Sequence, residues 1–406
     1  MHAKPSKTFW NFSGKRERDF LMIYTGLILL SVHWSLVIYI NSSFLEQFFS
    51  SSIVSIMYTL GSLFSLLLFF YIPIFLQRIG NYKLILLFSV LEICALLGMA
   101  STTSAILAVL FFVMHFVLIP LILFNIDIFI EDIIGSQEKQ TGSRRGLYLS
   151  LASFAAAVAP PISGSLIEIG QGAFSYVYIV SALFLIPFVA IIGFYFRKFK
   201  DPAYVTLSVP TMAHILKTQA DTRNIVIIGV HLQLFFTWMI IYTPLYLAHV
   251  AGFSWIEIGI IMFVGLSAYV IFEYPIGIIA DRYIGEKEMM AFGFVLIAVS
   301  TSWFAFIPNA GIGVWMVAMF LTRVGASFVE ATSESYFFKH MGSVDTHKIS
   351  LFRMTRPLSS VIGAALGSVI LLNFEFNFLF IILAIIMIPA IFITMQLKDT
   401  ISLREE

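Results

Sequence analysis

The sequence predicts an all-helical protein that crosses a lipid bilayer twelve times, with six spans on either side of a mid-chain linker. Three observations predict it. Of 406 residues, 59% are hydrophobic and 12% are charged, about half the roughly 25% charge of a soluble domain. The apolar residues gather in runs matching a bilayer's thickness, about 20 residues each. The basic residues fall in alternate connections between those runs.

The first run, 20–40, follows Lys4, Lys7, Lys15, Arg16 and Arg18. It is too long for a signal-peptide core and no small-residue cleavage site follows, so it reads as a retained first helix. Runs at 52–76, 83–101, 104–130, 147–168 and 174–196 complete the first half. The second half comprises 224–248, 255–280, 289–307, 312–338, 350–372 and 376–396. The short connections at 41–51, 101–104, 168–173, 249–254, 308–311 and 373–376 hold no Lys or Arg. All 24 Lys and Arg except Arg323 lie on the other side, which the positive-inside rule makes cytoplasmic, with both termini. The chain therefore divides into a cytoplasmic segment 1–19, a first bundle 20–196, a cytoplasmic linker 197–223, a second bundle 224–396 and a cytoplasmic tail 397–406. Within the linker, 210–217 reads either as a short interfacial helix dipping Met212, Ile215 and Leu216 into the headgroups or as solvated chain.

Composition also excludes classes of function. The single cysteine, Cys94, cannot form an intrachain disulfide, and a net charge of +1 exerts no pull on nucleic acid. There is no GxxxxGK[ST], HExxH or CxxC motif, which argues against an ATPase motor and the commonest metal sites.

The halves repeat. At an offset of 203 residues Asp127 falls on Glu330, Glu131 on Glu334 and Gly164 on Gly367. Joined to the matched topology, these coincidences indicate duplication.

Against that background, Gly277-x-x-x-Asp281-Arg282-x-x-Gly285-x-Lys287 after the eighth span resembles the G-x-x-x-D-R-x-G-R-R signature of the major facilitator superfamily, with one extra residue before the second glycine. After the second span Arg78 and Gly80 stay, while Pro73 and Gln77 replace the glycine and aspartate. Ala155, Ala159, Pro160, Ser163 and Gly164 resemble the g-x-x-x-G-P-x-x-G-G motif of the family's exporters, and Leu321-Thr322-Arg323-x-Gly325 faintly resembles an arginine motif that belongs in the fourth span. The resemblance implies two pseudo-symmetric six-helix bundles that rock about a midplane cavity lined by the first, fourth, seventh and tenth helices.

The candidate functional residues follow. Arg323 lies near the middle of the tenth span, where a charge costs at least about 2.5–3.5 kcal/mol. It either binds an anionic group or neutralises a proton-accepting acid, or it forms a structural ion pair with Glu330 or with Glu273. On the cavity-lining spans implied by the resemblance stand His33 and Trp34, His115, and His231, Gln233, Trp238 and Tyr242. The histidines suit proton relay or structural hydrogen bonds. Trp34, Trp238 and Tyr242 suit an aromatic wall or ordinary packing. Glu92, central in the third span, is a coupling-ion site or a paired structural acid. Asp127 and Glu131 with Arg144 and Arg145, and Glu330 and Glu334 with Arg353 and Arg356, read as cytoplasmic gate latches or as solvated charge. Asp281 stands at a helix C-terminus that disfavours an anion, and the resemblance implies that it meets the start of the fifth span while the cytoplasmic mouth is closed.

The resulting expectation is a monomeric secondary transporter of the plasma membrane, moving a small organic solute. It needs no cofactor or metal, and a proton gradient drives it. The Pro160 motif favours efflux; uptake symport of a sugar-like or anionic metabolite is the alternative. Rivals of other classes are a membrane-embedded lipid head-group enzyme and a solute sensor without turnover.

Overall fold

In the computed structural model the described residues are 15–134, 141–202, 204, 208–280, 284–341 and 346–398. Among them all regular structure is helical. The first half comprises α1 (Lys15–Val37), α2 (Asn41–Glu46), α3 (Ser51–Ile79), α4 (Asn81–Ser101), α5 (Ala105–Ile134), α6 (Thr141–Ile169) and α7 (Ser175–Tyr195). The linker holds α8 (Val209–Thr218). The second half comprises α9 (Ala220–His249), α10 (Trp255–Ile279), α11 (Glu286–Trp303), α12 (Ile312–Met341), α13 (Thr346–Asn373) and α14 (Phe376–Thr394). Twelve segments of the described chain are long and apolar enough to span a bilayer, α1 and α2 jointly making the first. Helices are the physical answer to a run that must bury its backbone in hydrocarbon, because each satisfies its own N–H and C=O groups.

The packing repeats with the sequence. In the first half α1 packs on α6 and α7, α4 on α5 and α7, and α3 on α5; in the second, α9 packs on α13 and α14, α11 on α12 and α14, and α10 on α12. The halves meet through α3 against α13 and α6 against α10, which are themselves a symmetric pair. Pro73 and Pro275 interrupt α3 and α10, and Pro187 and Pro389 interrupt α7 and α14, at matching places. Gly80 and Gly285 open α4 and α11 with φ of 85° and 91°, the left-handed region that glycine enters without a Cβ clash.

Two connections differ from expectation. Residues 41–51, expected to be a plain loop, begin with α2, whose residues Asn41 to Leu45 are buried. Asn41 can enter the protein because partners wait for its amide, as shown below, whereas the hydroxyls of Ser42 and Ser43 are buried without one. In the linker α8 forms, capped by Ser208, but Met212 and Ile215 do not enter headgroups: they pack on Val226 of α9 and Leu351 of α13. Upstream, Asp201 accepts a hydrogen bond from the backbone N–H of Asn81 at 2.7 Å and one from the Tyr204 hydroxyl at 2.5 Å. Burial and that carboxylate push the Tyr204 phenol above its ordinary pKa. The linker is thus pinned to both halves.

Candidate functional site

Three helices of the first half bring ionisable groups to one buried point. Glu92 of α4 is 0% exposed, and its Oε1 lies 2.5 Å from Nδ1 of His115 on α5 and 3.5 Å from Nε2 of His33 on α1. His33 Nδ1 donates to Ser181 Oγ of α7 at 2.6 Å, and that hydroxyl donates to the His33 carbonyl at 3.0 Å. Asn41 Nδ2 donates to His115 Nε2 at 3.1 Å, and the Tyr178 hydroxyl of α7 donates to Asn41 Oδ1 at 2.9 Å. His33 Nε2 and Glu92 Oε2 are left without hydrogen-bond partners. His33, His115 and Glu92 entered the sequence reading as separate candidates; Asn41, Tyr178 and Ser181 did not enter it. Their signal was faint: polar residues at the edge of a span, and a Tyr and Ser three apart on one helical face. Trp34, beside His33 in α1, is half-buried.

In the second half Arg323 of α12 is 1% exposed, and its Nε and Nη2 have no hydrogen-bond partner. The expected alternative of a structural ion pair with Glu330 or Glu273 is not formed. The guanidinium sits 5.4 Å from the ring centre of Phe235 on α9. Its charge reaches Tyr39, just beyond α1 in the other half, and Tyr269 of α10, whose buried hydroxyl is also unpartnered. Arg323 therefore lies between the halves with two donors unused.

Two turns along α12, Glu330 interacts electrostatically with Glu273 of α10, with Arg323 and with Arg356 of α13. Glu273 accepts from Ser153 of α6 at 3.4 Å across the halves. Glu334 pairs with Arg353 at 3.2 Å, and Arg356 donates to Gln233 at 3.3 Å. Asp127, on the equivalent stretch of α5, is exposed. Asp281 and Arg282 lie outside the described residues, as do the side chains of Glu131, Arg144 and Arg145, so their latch has no geometry here. Of the same turn, Gly277 has open space where a Cβ would stand, and Lys287 lies 3.7 Å from Glu288.

Toward the end bearing the short connections, polar groups of the two halves interlock. Tyr242 donates to Ser55 at 3.0 Å, Ser368 to the carbonyl of Ser52 at 3.4 Å, and the backbone of Trp255 to Glu168 at 3.2 Å; His249 and Glu46 pair at 2.7 Å. Small residues permit this approach. A Cβ on Gly164 would stand 2.2 Å from the Trp255 carbonyl oxygen, and one on Gly259 would stand 2.7 Å from that of Pro160, in the helix turn that Ala159 begins. This end is closed. Trp238, bonded to the Gly363 carbonyl at 2.7 Å, and Tyr242 are fully enclosed in it, with no free aromatic face. His231 is bonded back to its own helix at Ile227.

The chain matches the family model described as Major Facilitator Superfamily over residues 23–342 and again over 226–400. Two solved structures of the nucleoside transporter NupG, one of them a mutant form, superpose with TM-scores of 0.74 and 0.68. Both are 13% identical to the chain, and the alignments cover 93% of it and 99% and 98% of theirs. That likeness is one of fold. No curated protein matches the chain.

Proposed function

The chain belongs to the major facilitator superfamily, whose members are secondary transporters, and on that premise we propose that it carries a small organic anion by alternating access, in symport with protons. The carrying observation is Arg323. A buried guanidinium with Nε and Nη2 unused presents the planar fork that binds a carboxylate or phosphate through two hydrogen bonds. Leaving such a cation unpaired in a dry interior costs several kcal/mol, and a bound anion offsets that cost. Phe235 and Tyr269 supply an apolar wall and a further hydroxyl. Tyr39, from the other half, gives the solute contact with both bodies, so its binding responds to their relative position.

The charge arrangement supports symport. Glu330 lies in the field of Arg323 and interacts in turn with Glu273. An anion on Arg323 offsets the cation's field at Glu330, so anion and proton favour one another's binding, and linkage makes the effect reciprocal. In this reading the bodies that rock are 20–196 and 224–396, joined by 197–223, and the linker end faces the cytoplasm. The Ala159–Pro160–Gly164 segment acts in close packing between halves, a role that carries no direction. Efflux is therefore the alternative.

Thermal unfolding of the purified protein with a panel of mono- and dicarboxylates, organic phosphates and uncharged nucleosides tests the reading. Anions should raise the Tm of the wild type but not of Arg323→Gln, and Arg323→Lys should fold and bind more weakly. Stabilisation by uncharged solutes that survives in Arg323→Gln would overturn it. Flux in oriented vesicles under an imposed pH gradient then separates uptake from efflux.

A further inference from the structure

We propose that His33, Glu92 and His115 form a proton-binding site, separate from the solute site, that holds one proton while the short-connection end is closed and transmits its occupancy to that end through Asn41. The hydrogen bonds count the proton. Ser181 spends its own proton on the His33 carbonyl, so it must accept from His33 Nδ1–H. Asn41 Nδ2 donates to His115 Nε2, so His115 carries its proton on Nδ1 and gives it to Glu92. A neutral His33 then turns the bare lone pair of Nε2 toward Glu92 Oε1, 3.5 Å away. Two lone pairs facing across a dry gap repel. One added proton, on Glu92 or on His33 Nε2, makes the contact attractive and leaves the cluster with no net charge. Without it a fully buried carboxylate would stand uncompensated, at several kcal/mol. Among the described residues no Lys or Arg pairs with Glu92. The other titratable groups facing the cluster are Tyr178 of α7 and, beyond it, Tyr58 of α3. No three acid, histidine or cysteine side chains among the described residues are arranged to hold a metal.

The fold does not require these groups. At the offsets that relate the halves, 202 to 205 residues, the matching stretches 235–238, 294–297 and 317–320 contain no histidine and no acid. Buried there instead are Phe235, Ile297 and Ala318, each 0% exposed. The cluster is thus an addition to the first half.

Its route to the closed end is short. If the cluster's one proton instead rests on His115 Nε2, leaving Glu92 ionised against a doubly protonated imidazole, the Asn41 amide must reverse, turning Oδ1 to the imidazole and Nδ2 to the Tyr178 oxygen. Asn41 begins α2, and Phe44 of that helix packs edge-on against Tyr178 with centroids 5.2 Å apart. At its other end Glu46 pairs with His249 of the second half. Proton occupancy and closure therefore share one short helix.

The test uses full-length protein in lipid vesicles without solute, carrying Ser368→Cys, at a site sealed by closure, in a Cys94→Ser background. The labelling rate with a maleimide, divided at each pH by that of an exposed Gln47→Cys control to remove the thiol's own ionisation, reports opening, and His249→Gln removes the second titratable pair on the path. With that pair removed, labelling should still accelerate about tenfold per pH unit while the single proton leaves. Glu92→Gln, whose amide donates permanently to His33, should label slowly at every pH. A second variant, His33→Phe with Glu92→Ile and His115→Ala, copies the other half and should also lose the pH dependence. Infrared pH-difference spectra should lose one carboxyl or imidazolium signal in both variants. Wild-type pH dependence of labelling in either variant, or spectra unchanged from wild type, would overturn the proposal. Anion-induced stabilisation of the same samples reports on Arg323 alone, so failure of the solute reading would leave this result standing.

Discussion

Glu286, 0% exposed at the first turn of α11, lies 2.5 Å from Lys339 Nζ of α12 and accepts from Ser335 at 3.2 Å. A helix N-terminus adds a favourable field for an anion. The sequence reading centred the same turn on Lys287 and passed over this acid, since the family signature expects basic residues there. Glu286→Ala should destabilise the protein by about 1–3 kcal/mol, toward the lower end because Lys339 is 40% exposed and can turn to water. Thermal unfolding in detergent checks this; an unchanged Tm would mean the pair adds nothing net. Arg323 was the residue most legible in advance, because a lone midplane cation is conspicuous in sequence. Whether it was paired was not legible, because that depends on where Glu330 and Glu273 point.

Among elements, the contact of α6 with α10 is built on absent side chains. Gly164→Ala would drive a methyl into the Trp255 carbonyl, 2.2 Å from the ideal Cβ position, and backbone cannot retreat as a flexible side chain can. The helices should separate at the closed end, favouring the open conformation: maleimide labelling at Ser368→Cys should rise while total folded protein changes little. If labelling stays at the wild-type rate, this close approach is not what holds the end shut. The sequence flagged Gly164 and Pro160 by resemblance to an exporter motif; the structure shows what they touch. It also shows why α2 escaped notice. Three polar residues in a row, Asn41, Ser42 and Ser43, read as loop, whereas in the structure they form helix, with Asn41 bonded to His115 and Tyr178.

For the whole molecule, the confinement of every Lys and Arg but Arg323 to one end predicts that the linker faces the cytoplasm. An impermeant thiol reagent should therefore spare Ala213→Cys in intact cells and modify Gln47→Cys. Gln47 is the residue to use because it is exposed, whereas nearby Ser42 is fully buried. The reverse pattern would invert the orientation and the assignment of the closed end. By itself the sequence determined the twelve spans, the confinement of basic residues to one end and the duplicated halves, because hydrophobic length and charge are local sums read along the chain. Only the tertiary structure brought His33, Glu92 and His115 together at one buried point and left Arg323 Nε and Nη2 without a hydrogen-bond partner. A helix that is apolar on every face gives no sign of its rotation about its own axis. That rotation, fixed by the neighbours it packs against, decides which side chains meet.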